Sequence, residues 1–470
     1  MKKIVVKFGG SNLKETGDIQ KLLDVIKFYN RPLAIVVSAF YGITNKLIEI
    51  INKAKDDEKN ILLFTDFLAE MKENIINHYI KEEKNKTEVL EQLDIRLNEL
   101  RRQLLGINYL GEIPEFIEDA VLSYGEKLSA LIITAIIRNE GLQCEEVLPE
   151  DLQLITDGEY GNASVDFNAS RKIVGERLSA DKVFIIPGFY GISKEGRKTI
   201  FGRGGSDYSA AAIAACIDAE SLDIWKDVDG FQSADPKLVA DAVTIPRLFY
   251  GEAAELAYFG AKILHPRTVE PLLDKNIPIR IFNINKIDTK ITPLTIIGER
   301  EDVSDEVIKS VTYSDDFCVI RFSGPGVGIK AGLMAIITRK LEAEKINIKL
   351  VFNTHTHINL FFAASDVERA YSIIKDLPLS GVNSSIMKKG LSTIAVVGCG
   401  MMEKLGIAAR LFSAVAKAGI NIETINFGAS DVVTYFIVEQ NDRDKAIKAI
   451  HKEFFNNRKL NLKKNILMFS

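Results

Sequence analysis

Cysteine is scarce in this chain of 470 residues and shows no pairing pattern. The four cysteines are far apart in the sequence, at Cys144, Cys216, Cys318 and Cys399. This spacing excludes a disulfide framework and a paired-cysteine zinc site, and it predicts a reducing, cytoplasmic environment. Of the five histidines, only His355 and His357 are closely spaced, and we expect both on one face of a strand. We assign the chain no metal ligands.

Strong net charge and long apolar runs are also absent. The formal net charge of −4 offers no basic surface of the kind that binds nucleic acid. No run of about 18 uncharged apolar residues occurs, so we expect no membrane span. The start of the chain is charged like a signal peptide, but the apolar run Ile4–Val6 is too short, and a first β-strand is predicted instead. The length predicts two or three soluble domains.

The first 285 residues alternate short β-branched runs with helical segments. This alternation is typical of a parallel sheet that is covered by helices on both faces. The predicted strands include Ile4–Val6, Ala34–Val37, Val183–Ile186 and Leu222–Trp225. Between Asn60 and Leu105 the composition becomes charged and helical. Leucines there recur every three or four residues, which predicts an inserted helical pair that packs on the core or on a partner; they are Leu90, Leu93, Leu97, Leu100 and Leu104.

After about residue 285 the pattern changes to two copies of a β-α-β-β unit, marked by a repeat of about 74 residues that aligns Lys345–Ile348 with Gly419–Ile422. Such units form small ferredoxin-like modules with open sheet edges, so we expect oligomerisation. The predicted strands are Val311–Phe322, Ile346–Val351, Ile358–Ala363, Thr393–Gly398, Ile420–Phe427 and Val432–Glu439, and the predicted helices are Ala331–Glu344, Gly406–Ala418 and Arg443–Phe455. The predicted domains cover residues 1–290, 305–388 and 389–470.

The first chemical motif is Lys7–Ser11 (Lys-Phe-Gly-Gly-Ser), where the first predicted strand ends. Two glycines after a strand let backbone N–H groups approach a polyphosphate closely, because no Cβ stands in the way. A lysine at the end of the strand can neutralise a phosphoryl group during transfer. The spacing matches neither a Walker loop nor a dinucleotide fingerprint. By itself the motif is also compatible with an ordinary turn.

The second motif, Gly202–Asp207, precedes an alanine-rich helix predicted over Tyr208–Ala219. Ser206 or Asp207 is predicted to be the helix N-cap. A cap does not explain Arg203, which lies between glycines. A guanidinium beside open backbone amides is a receptor for a carboxylate or a phosphate, so we predict a functional role for it.

Three further segments carry candidates that also have structural explanations. We expect Glu126 in the first turn of a helix, either as a surface acid favoured by the helix dipole or, with Arg203, as the partner of an α-ammonium group. The stretch Trp225–Lys237 is an acidic loop suited to a ribose and a base, and its carboxylates do not have EF-hand spacing. Lys262 and His265 are expected near a helix end, where each could either cap the helix or contribute to the functional site.

Together, in this order and spacing, these segments resemble the aspartate kinases, a family within the amino-acid kinase superfamily. The resemblance extends over essentially the whole chain and includes Val37–Ala39 and Gly42–Asn45. It implies an αβα sandwich with a mainly parallel sheet, followed by two ferredoxin-like (ACT) regulatory modules. It also implies a cytoplasmic homodimer or homotetramer with a single activity, because no dinucleotide fingerprint of a fused dehydrogenase follows the repeat.

The resemblance assigns roles to individual residues. Lys7 would stabilise the phosphoryl group in transfer, Asp207 would orient Lys7, and Arg203 and Glu126 would bind the carboxylate and ammonium groups of L-aspartate. The residues assigned to aspartate are Ser38, Thr44, Glu126, Arg203, Gly204, Gly205 and Ser206. The residues assigned to ATP are Lys7, Gly9, Gly10, Ser11, Lys226, Asp227, Gln232, Lys237 and Lys262.

The implied reaction is ATP-dependent phosphorylation of the aspartate side chain to 4-phospho-L-aspartate, the entry to lysine, threonine and methionine synthesis. No general base is needed, because a carboxylate is already ionised at neutral pH. Lysines and a Mg²⁺ ion held mainly by phosphate oxygens would overcome the repulsion between the anions. Kinases for acetylglutamate, glutamate or uridylate would lack the repeat together with Glu126 and Arg203. A catalytically silent amino-acid sensor would lack Lys7, Arg203 or Asp207, and all three are present.

The chain departs from the family pattern at several positions. Asn12 replaces a residue of the usual Thr-Ser-Val run, Lys226 the usual threonine, Gln232 an aromatic residue and Lys237 an arginine. These changes affect predicted nucleotide contacts and remove no catalytic group. In the first ACT module the stretch 350–357 contains no acid that could bind the ammonium group of an effector. The first module therefore gives little support for feedback by lysine or threonine, whereas the second copy, Asn426–Asp431, stays closer to the family pattern. Feedback through the ACT modules, by lysine or threonine, is expected, but the sequence does not identify the effector.

Overall fold

An eight-stranded sheet forms the centre of the first part of the chain. The computed structural model describes residues 2–287, 292–299 and 307–467. These residues divide into two units, described separately below: residues 2–231, 244–257 and 262–299 in the first, and residues 232–243, 258–261 and 307–467 in the second. The predicted boundary positions 290 and 305 lie outside the described residues.

The strands described in the first unit are β1 (Ile4–Phe8), β2 (Leu33–Val37), β3 (Cys144–Glu146), β4 (Val183–Pro187), β5 (Tyr190–Ile192), β6 (Lys198–Ile200), β7 (Ser221–Lys226), β8 (Arg247–Phe249), β9 (Ile279–Asn283) and β10 (Thr295–Gly298). The sheet order is β3-β4-β2-β1-β7-β9-β10-β8, and β5 and β6 form a separate hairpin. From β3 to β9 all neighbours are parallel, whereas β10 runs antiparallel to β9. The predicted mainly parallel α/β sheet is confirmed.

The central strands are buried over their whole length, because helices cover both faces of the sheet. This explains why they are continuous runs of valine and isoleucine without polar alternation. In β1 the last residues, Lys7 and Phe8, lie beside Val36 and Val37 of β2 and beside Ile224 and Trp225 of β7. The carboxyl ends of β1, β2 and β7 therefore meet at one edge, where parallel sheets bind ligands.

The helices described in the first unit are α1 (Thr16–Tyr29), α2 (Ile43–Ala54), α3 (Glu58–Tyr79), α4 (Glu83–Leu110), α5 (Glu115–Asn139), α6 (Pro149–Leu152), α7 (Phe167–Arg177), α8 (Gly205–Cys216), α9 (Tyr250–Tyr258) and α10 (Glu270–Leu273). The predicted inserted helical pair is confirmed as α3 and α4. Leu93, Leu97, Leu100 and Leu104 are buried in the core, and Leu90 packs against it.

Helix α5 corrects one prediction, since Glu126 lies in its middle and not in a first turn. The helix begins after Pro114, which fixes a φ suited to a helix start, and nothing breaks it at Gly125. A Cβ at Gly125 would lie 2.9 Å from the Cβ of Ala39, so the glycine permits close packing. By length and composition α5 could cross a membrane, but 94% of its apolar window is buried, as expected of a core helix.

Helix α8 corrects the predicted N-cap. It begins at Gly205, three residues before the predicted Tyr208, and its N-cap is Gly204 in the left-handed conformation, with φ +69° and no side-chain cap. Ser206 and Asp207 therefore lie in the first turn, and both are buried. An aspartate buried there must find a partner other than the backbone, and that partner is a lysine described below.

The second unit is built on an antiparallel six-stranded sheet of order β12-β13-β11-β14-β16-β15. Its described strands are β11 (Ser310–Ser323), β12 (Leu350–Asn353), β13 (His357–Phe362), β14 (Ser384–Val397), β15 (Thr424–Asn426) and β16 (Val433–Glu439), and its described helices are α11 (Leu333–Ala343), α12 (Val367–Ile374), α13 (Ile407–Lys417) and α14 (Arg443–Leu467). The predicted repeat appears as two halves around the long central strands β11 and β14. Residues 388 and 389, the predicted module boundary, lie inside β14; that boundary stays a prediction.

Two strands begin later than the sequence predicts. The predicted strand Ile346–Val351 is replaced by β12 (Leu350–Asn353), and the predicted strand Ile420–Phe427 by β15 (Thr424–Asn426). Ile346 and Ile420 are buried, but each closes the end of a helix: Ile346 donates its N–H to Leu341 O at 2.9 Å after a left-handed Lys345. These isoleucines cover the ends of their helices and do not pair in the sheet. His355 also lies outside the strands, in the turn before β13, so the prediction that it shares a strand face with His357 is wrong.

Candidate active site

Lys7 is the central cation of the site at the carboxyl edge of the parallel sheet. It is 4% exposed, although lysine is one of the residues most rarely buried. Its Nζ lies 2.5 Å from Oδ1 of Asp207, in the first turn of α8, and Lys226 Nζ at the end of β7 lies 3.4 Å from the other oxygen. The structure thus brings Lys7 and Asp207 together, as the resemblance implied, and adds Lys226 as a second cation on the same carboxylate.

Burial and charge act in opposite directions on this cluster. Burial alone would raise the pKa of Asp207, but Lys226 and Lys7 lower that pKa to about 2. Burial lowers the pKa of Lys7, and the Asp207 carboxylate opposes that shift. Asp207 is therefore an anion at neutral pH that holds two ammonium groups at the open end of the sheet.

We expect Asp207→Asn to destabilise the protein by roughly 2 kcal/mol at pH 7, because folding lowers the pKa of this carboxyl to about 2. A group whose folded pKa is depressed stabilises the protein above its unfolded pKa, near 4, and this stabilisation is lost as the pH falls towards 2. The difference in thermal midpoint between wild type and variant should be constant from pH 7 to about 4 and shrink below it. The exposed Asp56→Asn is the control, and a difference that persists unchanged at pH 3 would contradict the assignment.

Gly10, which follows β1, allows the backbone after β1 to pack closely against the backbone after β2. A Cβ at Gly10 would lie 2.9 Å from the carbonyl oxygen of Ala39, so Gly10 is needed for β1 and β2 to end side by side. Gly9 is the N-cap of a short 3₁₀ turn over Gly10–Asn12. Asn12 is fully buried; its Oδ1 accepts a hydrogen bond from Ser11 Oγ at 3.1 Å, and its Nδ2 finds no acceptor among the described residues.

The Gly202–Gly205 turn presents Arg203. Gly202 and Gly204 both have positive φ, at +73° and +69°, which leaves Arg203 exposed between them. The guanidinium of Arg203 makes no hydrogen bond or ion pair with any residue that the structure describes, so a ligand can take all of its donors. A Cβ at Gly204 would lie 2.3 Å from the Cβ of His265, so His265 limits this position to glycine.

Arg267 holds the backbone around this turn, a role that our sequence analysis missed. Its guanidinium donates to the carbonyl oxygens of Phe201 at 3.3 Å and Ala163 at 2.8 Å, and to Asn162 Oδ1 at 2.9 Å. The sequence offers only its position after His265-Pro266 as a signal. Arg267 thus hydrogen-bonds the backbone beside the Gly202–Gly205 turn, and His265 packs against Gly204.

Glu126 is buried in the middle of α5, in contact with the first turn of α8. Its Oε1 accepts a hydrogen bond from Ser206 Oγ at 3.3 Å, and its Oε2 has no hydrogen-bond partner in the part of the chain that the structure describes. Burial raises the pKa of Glu126 to about 8, although hydrogen bonds from the Ala39 backbone and Ser206 oppose this shift. A carboxyl with one unsatisfied buried oxygen is suited to an incoming ammonium group.

The other predicted site residues lie at several places. Ser38 follows β2, where its N–H donates to Phe8 O at 3.2 Å, and Thr44 is in the first turn of α2; both are half-buried. Asp227 is exposed after β7 and pairs with Lys14 at 3.2 Å. Lys262 is exposed. Gln232 and Lys237 belong to the second unit, where Gln232 O accepts from Ser310 Oγ at 2.7 Å. The predicted ligand contacts of these residues stay predictions.

Comparison with known proteins identifies the family of the chain. Residues 2–283 match the model of the amino acid kinase family, and residues 394–454 match that of an ACT domain. A bifunctional aspartokinase/homoserine dehydrogenase of Haemophilus influenzae is 33% identical over 470 residues, which cover 97% of this chain and 57% of the relative. The aspartokinase of Saccharomyces cerevisiae is 27% identical, with 97% of this chain and 93% of the relative covered. The chain therefore spans little more than half the length of its bifunctional relatives.

Solved structures show the same fold. E. coli aspartokinase III in complex with aspartate and ADP (R-state) has a TM-score of 0.80 at 23% identity, covering 97% of this chain and 100% of that chain. The same enzyme in complex with lysine and aspartate (T-state) has a TM-score of 0.78. The likeness extends over both units, so the predicted succession of kinase sheet and ACT sheet is confirmed.

Proposed function

The chain belongs to the amino acid kinase family, and we propose that it is an aspartate kinase, which transfers the γ-phosphoryl group of ATP to the side-chain carboxylate of L-aspartate. The observation that carries this proposal is the buried cluster in which Asp207 holds Lys7 and Lys226 opposite Glu126. Such a site combines cations for a phosphoryl group with an acid for an ammonium group. The yeast relative, an aspartokinase matched over nearly its whole length, supports aspartate as the acceptor.

In the proposed reaction a side-chain carboxylate oxygen of aspartate attacks the γ-phosphorus of ATP. A new bond forms between that oxygen and phosphorus, the bond from phosphorus to the β,γ-bridging oxygen breaks, and the electron pair leaves on ADP. No proton has to move, because the nucleophile is already ionised. Lys7 stabilises the charge on the transferring group, and Asp207 keeps the Lys7 ammonium at the end of β1.

Aspartate would bind between Arg203 and Glu126. The unpaired guanidinium of Arg203 provides the planar, two-pronged donor that suits a carboxylate. The free oxygen of Glu126 receives the α-ammonium group, and Ser206 holds the other oxygen in place. These contacts fix the two ends of the amino acid and leave its side-chain carboxylate directed at the phosphate.

Mg²⁺ would accompany the nucleotide. The described residues contain no group of three His, Cys, Asp or Glu side chains that could hold a metal ion. The carboxylate at the centre of the site, Asp207, is already paired with two lysines. The residues therefore suit an ion that is carried by phosphate oxygens, and we assign it no protein ligand; when bound, it would neutralise phosphate charge.

The direct test is a coupled assay with ATP, Mg²⁺ and L-aspartate, in which hydroxylamine traps the acyl phosphate as a hydroxamate. We expect hydroxamate with aspartate, and much less with glutamate or acetylglutamate. Folded protein that forms none with aspartate would overturn the proposal, and would favour an amino-acid sensor on the same fold.

Feedback regulation is proposed for the second unit. A cleft of about 430 Å³ lies between its halves, and the side chains around it include Arg321, Asn359 and Glu423. Glu423, from the second repeat, places a carboxylate at this cleft, where it pairs with Lys388 at 3.1 Å, and Arg321 donates to Asn359 Oδ1 at 2.7 Å. We infer that an amino-acid effector would exchange these contacts for its ammonium and carboxylate groups. Thermal midpoints measured with lysine, threonine and methionine should rise for the effector, and Glu423→Gln should weaken that rise.

Assembly and location complete the proposal. β12 and β15 are the outer strands of the six-stranded sheet, and open strand edges can pair with a second copy, which supports a homodimer or homotetramer. Cys144, Cys216 and Cys318 are free, buried thiols, which supports a cytoplasmic protein. Analytical ultracentrifugation would give the size of the assembly.

A further inference from the structure

Asp119 is a buried acid of α5 that the proposed mechanism does not use. It is 2% exposed, and one carboxylate oxygen, Oδ2, accepts hydrogen bonds from the backbone N–H groups of Gly161 and Ile200, both at 2.9 Å. Gly161 belongs to the loop that precedes α7, and Ile200 is the last residue of β6. One oxygen of α5 therefore joins two segments that are distant from it, and from each other, in the sequence.

The two joined segments lie directly beside the arginine turn, the name we give to Gly202–Gly205. Ile200 precedes the turn in the chain, and its carbonyl oxygen accepts a hydrogen bond from the Ala163 N–H at 2.9 Å. A Cβ at Gly202 would lie 3.0 Å from the carbonyl oxygen of Gly161, so the loop and the turn are in close contact. The backbone of the arginine turn therefore depends on where both segments are held.

The charged groups around Asp119 are either acids or engaged with other partners. On its own helix, the acids Glu118 and Glu115 oppose its ionisation. The charged side chains of the neighbouring loop, hairpin and turn have these partners: Lys198 with Glu150, Arg197 with the Phe116 ring, Asp157 with the N–H groups of Glu159 and Ser164, and Arg267 with Asn162 and the carbonyl oxygen of Ala163. The hydrogen bonds from Gly161 and Ile200 are thus the main interactions that favour the carboxylate form.

Ionisation of Asp119 lowers the stability of the protein at neutral pH. Burial raises the pKa of this carboxyl to about 6, although the two backbone hydrogen bonds oppose that shift. A group whose folded pKa is raised stabilises the protein below its unfolded pKa, about 4, and this stabilisation is lost as the pH rises through about 6. A neutral amide would avoid the cost, so stability does not explain a carboxylate at this position.

We propose that Asp119 is a positioning residue for the binding of aspartate. Its Oδ2 holds the loop of Gly161 and the end of β6 together, and so keeps the arginine turn in the conformation from which Arg203 reaches the substrate carboxylate. Asp119 acts through Arg203 and contacts no substrate itself. This inference rests on the proposed function.

The consequence is that the effects of Asp119 and Arg203 on aspartate binding are interdependent. An amide oxygen at residue 119 can still accept both hydrogen bonds, but hydrogen bonds to an ionised acceptor are about twice as strong. With the weaker acceptor the arginine turn leaves its binding conformation more often, and the apparent affinity falls by the fraction of time that is lost. Once the guanidinium of Arg203 is removed, the conformation of the turn no longer affects the substrate.

The test is a double-mutant cycle that measures the KM for aspartate of wild type, Asp119→Asn, Arg203→Ala and the double variant at about pH 8. We expect Asp119→Asn to raise this KM about tenfold when Arg203 is present and less than about twofold when it is absent. The kcat at saturation and the KM for ATP should stay within about threefold. A merely structural role would give the same change in both backgrounds.

The pH dependence provides a second measurement. The ratio of the KM of Asp119→Asn to that of wild type should fall from about ten near pH 8 to about one near pH 5, because protonated Asp119 is a neutral acceptor like the amide. Titration of Glu126 affects both proteins equally and cancels in the ratio. The thermal midpoint of the variant above about pH 6 should equal or exceed that of wild type, because the variant buries no charge.

Glu118→Gln, the same carboxyl-to-amide change at the next residue of the helix, is the matched control and should leave the KM for aspartate unchanged. A folded Asp119→Asn protein with the KM of wild type would overturn the inference. An increase that persists in full in the Arg203→Ala background would overturn it too. Absence of activity with aspartate in wild type would instead overturn the proposed function, so the two failures are distinguishable.

Discussion

Lys7→Ala is expected to lower kcat about a thousandfold while the KM for aspartate stays within threefold. The ammonium group lies at the end of β1, 2.5 Å from the Asp207 carboxylate, and Lys7 is assigned to the phosphoryl group and not to aspartate. Removing one prearranged donor to a developing oxyanion costs about 3–4 kcal/mol, and a full charge on a phosphoryl group costs at least as much. The loss should therefore fall on the transition state.

The measurement is steady-state kinetics with each substrate varied in turn, beside the exposed Lys27→Ala as a control. Lys7→Arg tests geometry, because a guanidinium is too large for a site that is 4% exposed. We expect it to recover little of the activity. If Lys7→Ala raised only the KM for a substrate and left kcat intact, the assignment of Lys7 to the transition state would be wrong.

Arg203→Ala is expected to raise the KM for aspartate about a hundredfold with little change in kcat. The guanidinium has no partner in the described protein, so its donors are available to a substrate carboxylate, and a two-pronged pair of this kind is worth about 2–3 kcal/mol. Because no internal contact is lost, the thermal midpoint of the variant without substrate should equal that of wild type.

Arg203→Lys should recover only part of the affinity, since a single ammonium cannot match both carboxylate oxygens. Arg177→Ala, another exposed arginine, is the matched control and should leave the KM unchanged. A smaller effect on aspartate than on ATP would reassign Arg203 from the amino acid to the nucleotide. A loss of thermal stability would show instead that the turn depends on this side chain.

Much of the fold follows from local patterns. The sequence predicts β1, β2 and β4 because short continuous runs rich in valine and isoleucine are typical of buried parallel strands. The leucines of α4 recur every three or four residues, which places them on one face of a helix and so predicts that helix. The strands predicted at 346–351 and 420–427 begin too early, because the isoleucine that covers the end of the preceding helix looks in the sequence like the first residue of a strand. Periodicity does not distinguish these two uses of an apolar side chain.

The sequence by itself determined the mainly parallel sheet, the repeated second unit and the glycine turns that carry Lys7 and Arg203. These depend on residues that are close in the chain. Only the tertiary structure decided that Asp207 is the anion between two lysines and not a helix cap, and that Glu126 is buried in the middle of α5. Each of these depends on residues that are far apart in sequence, because charge, burial and pKa are set by neighbours that only the folded chain brings together.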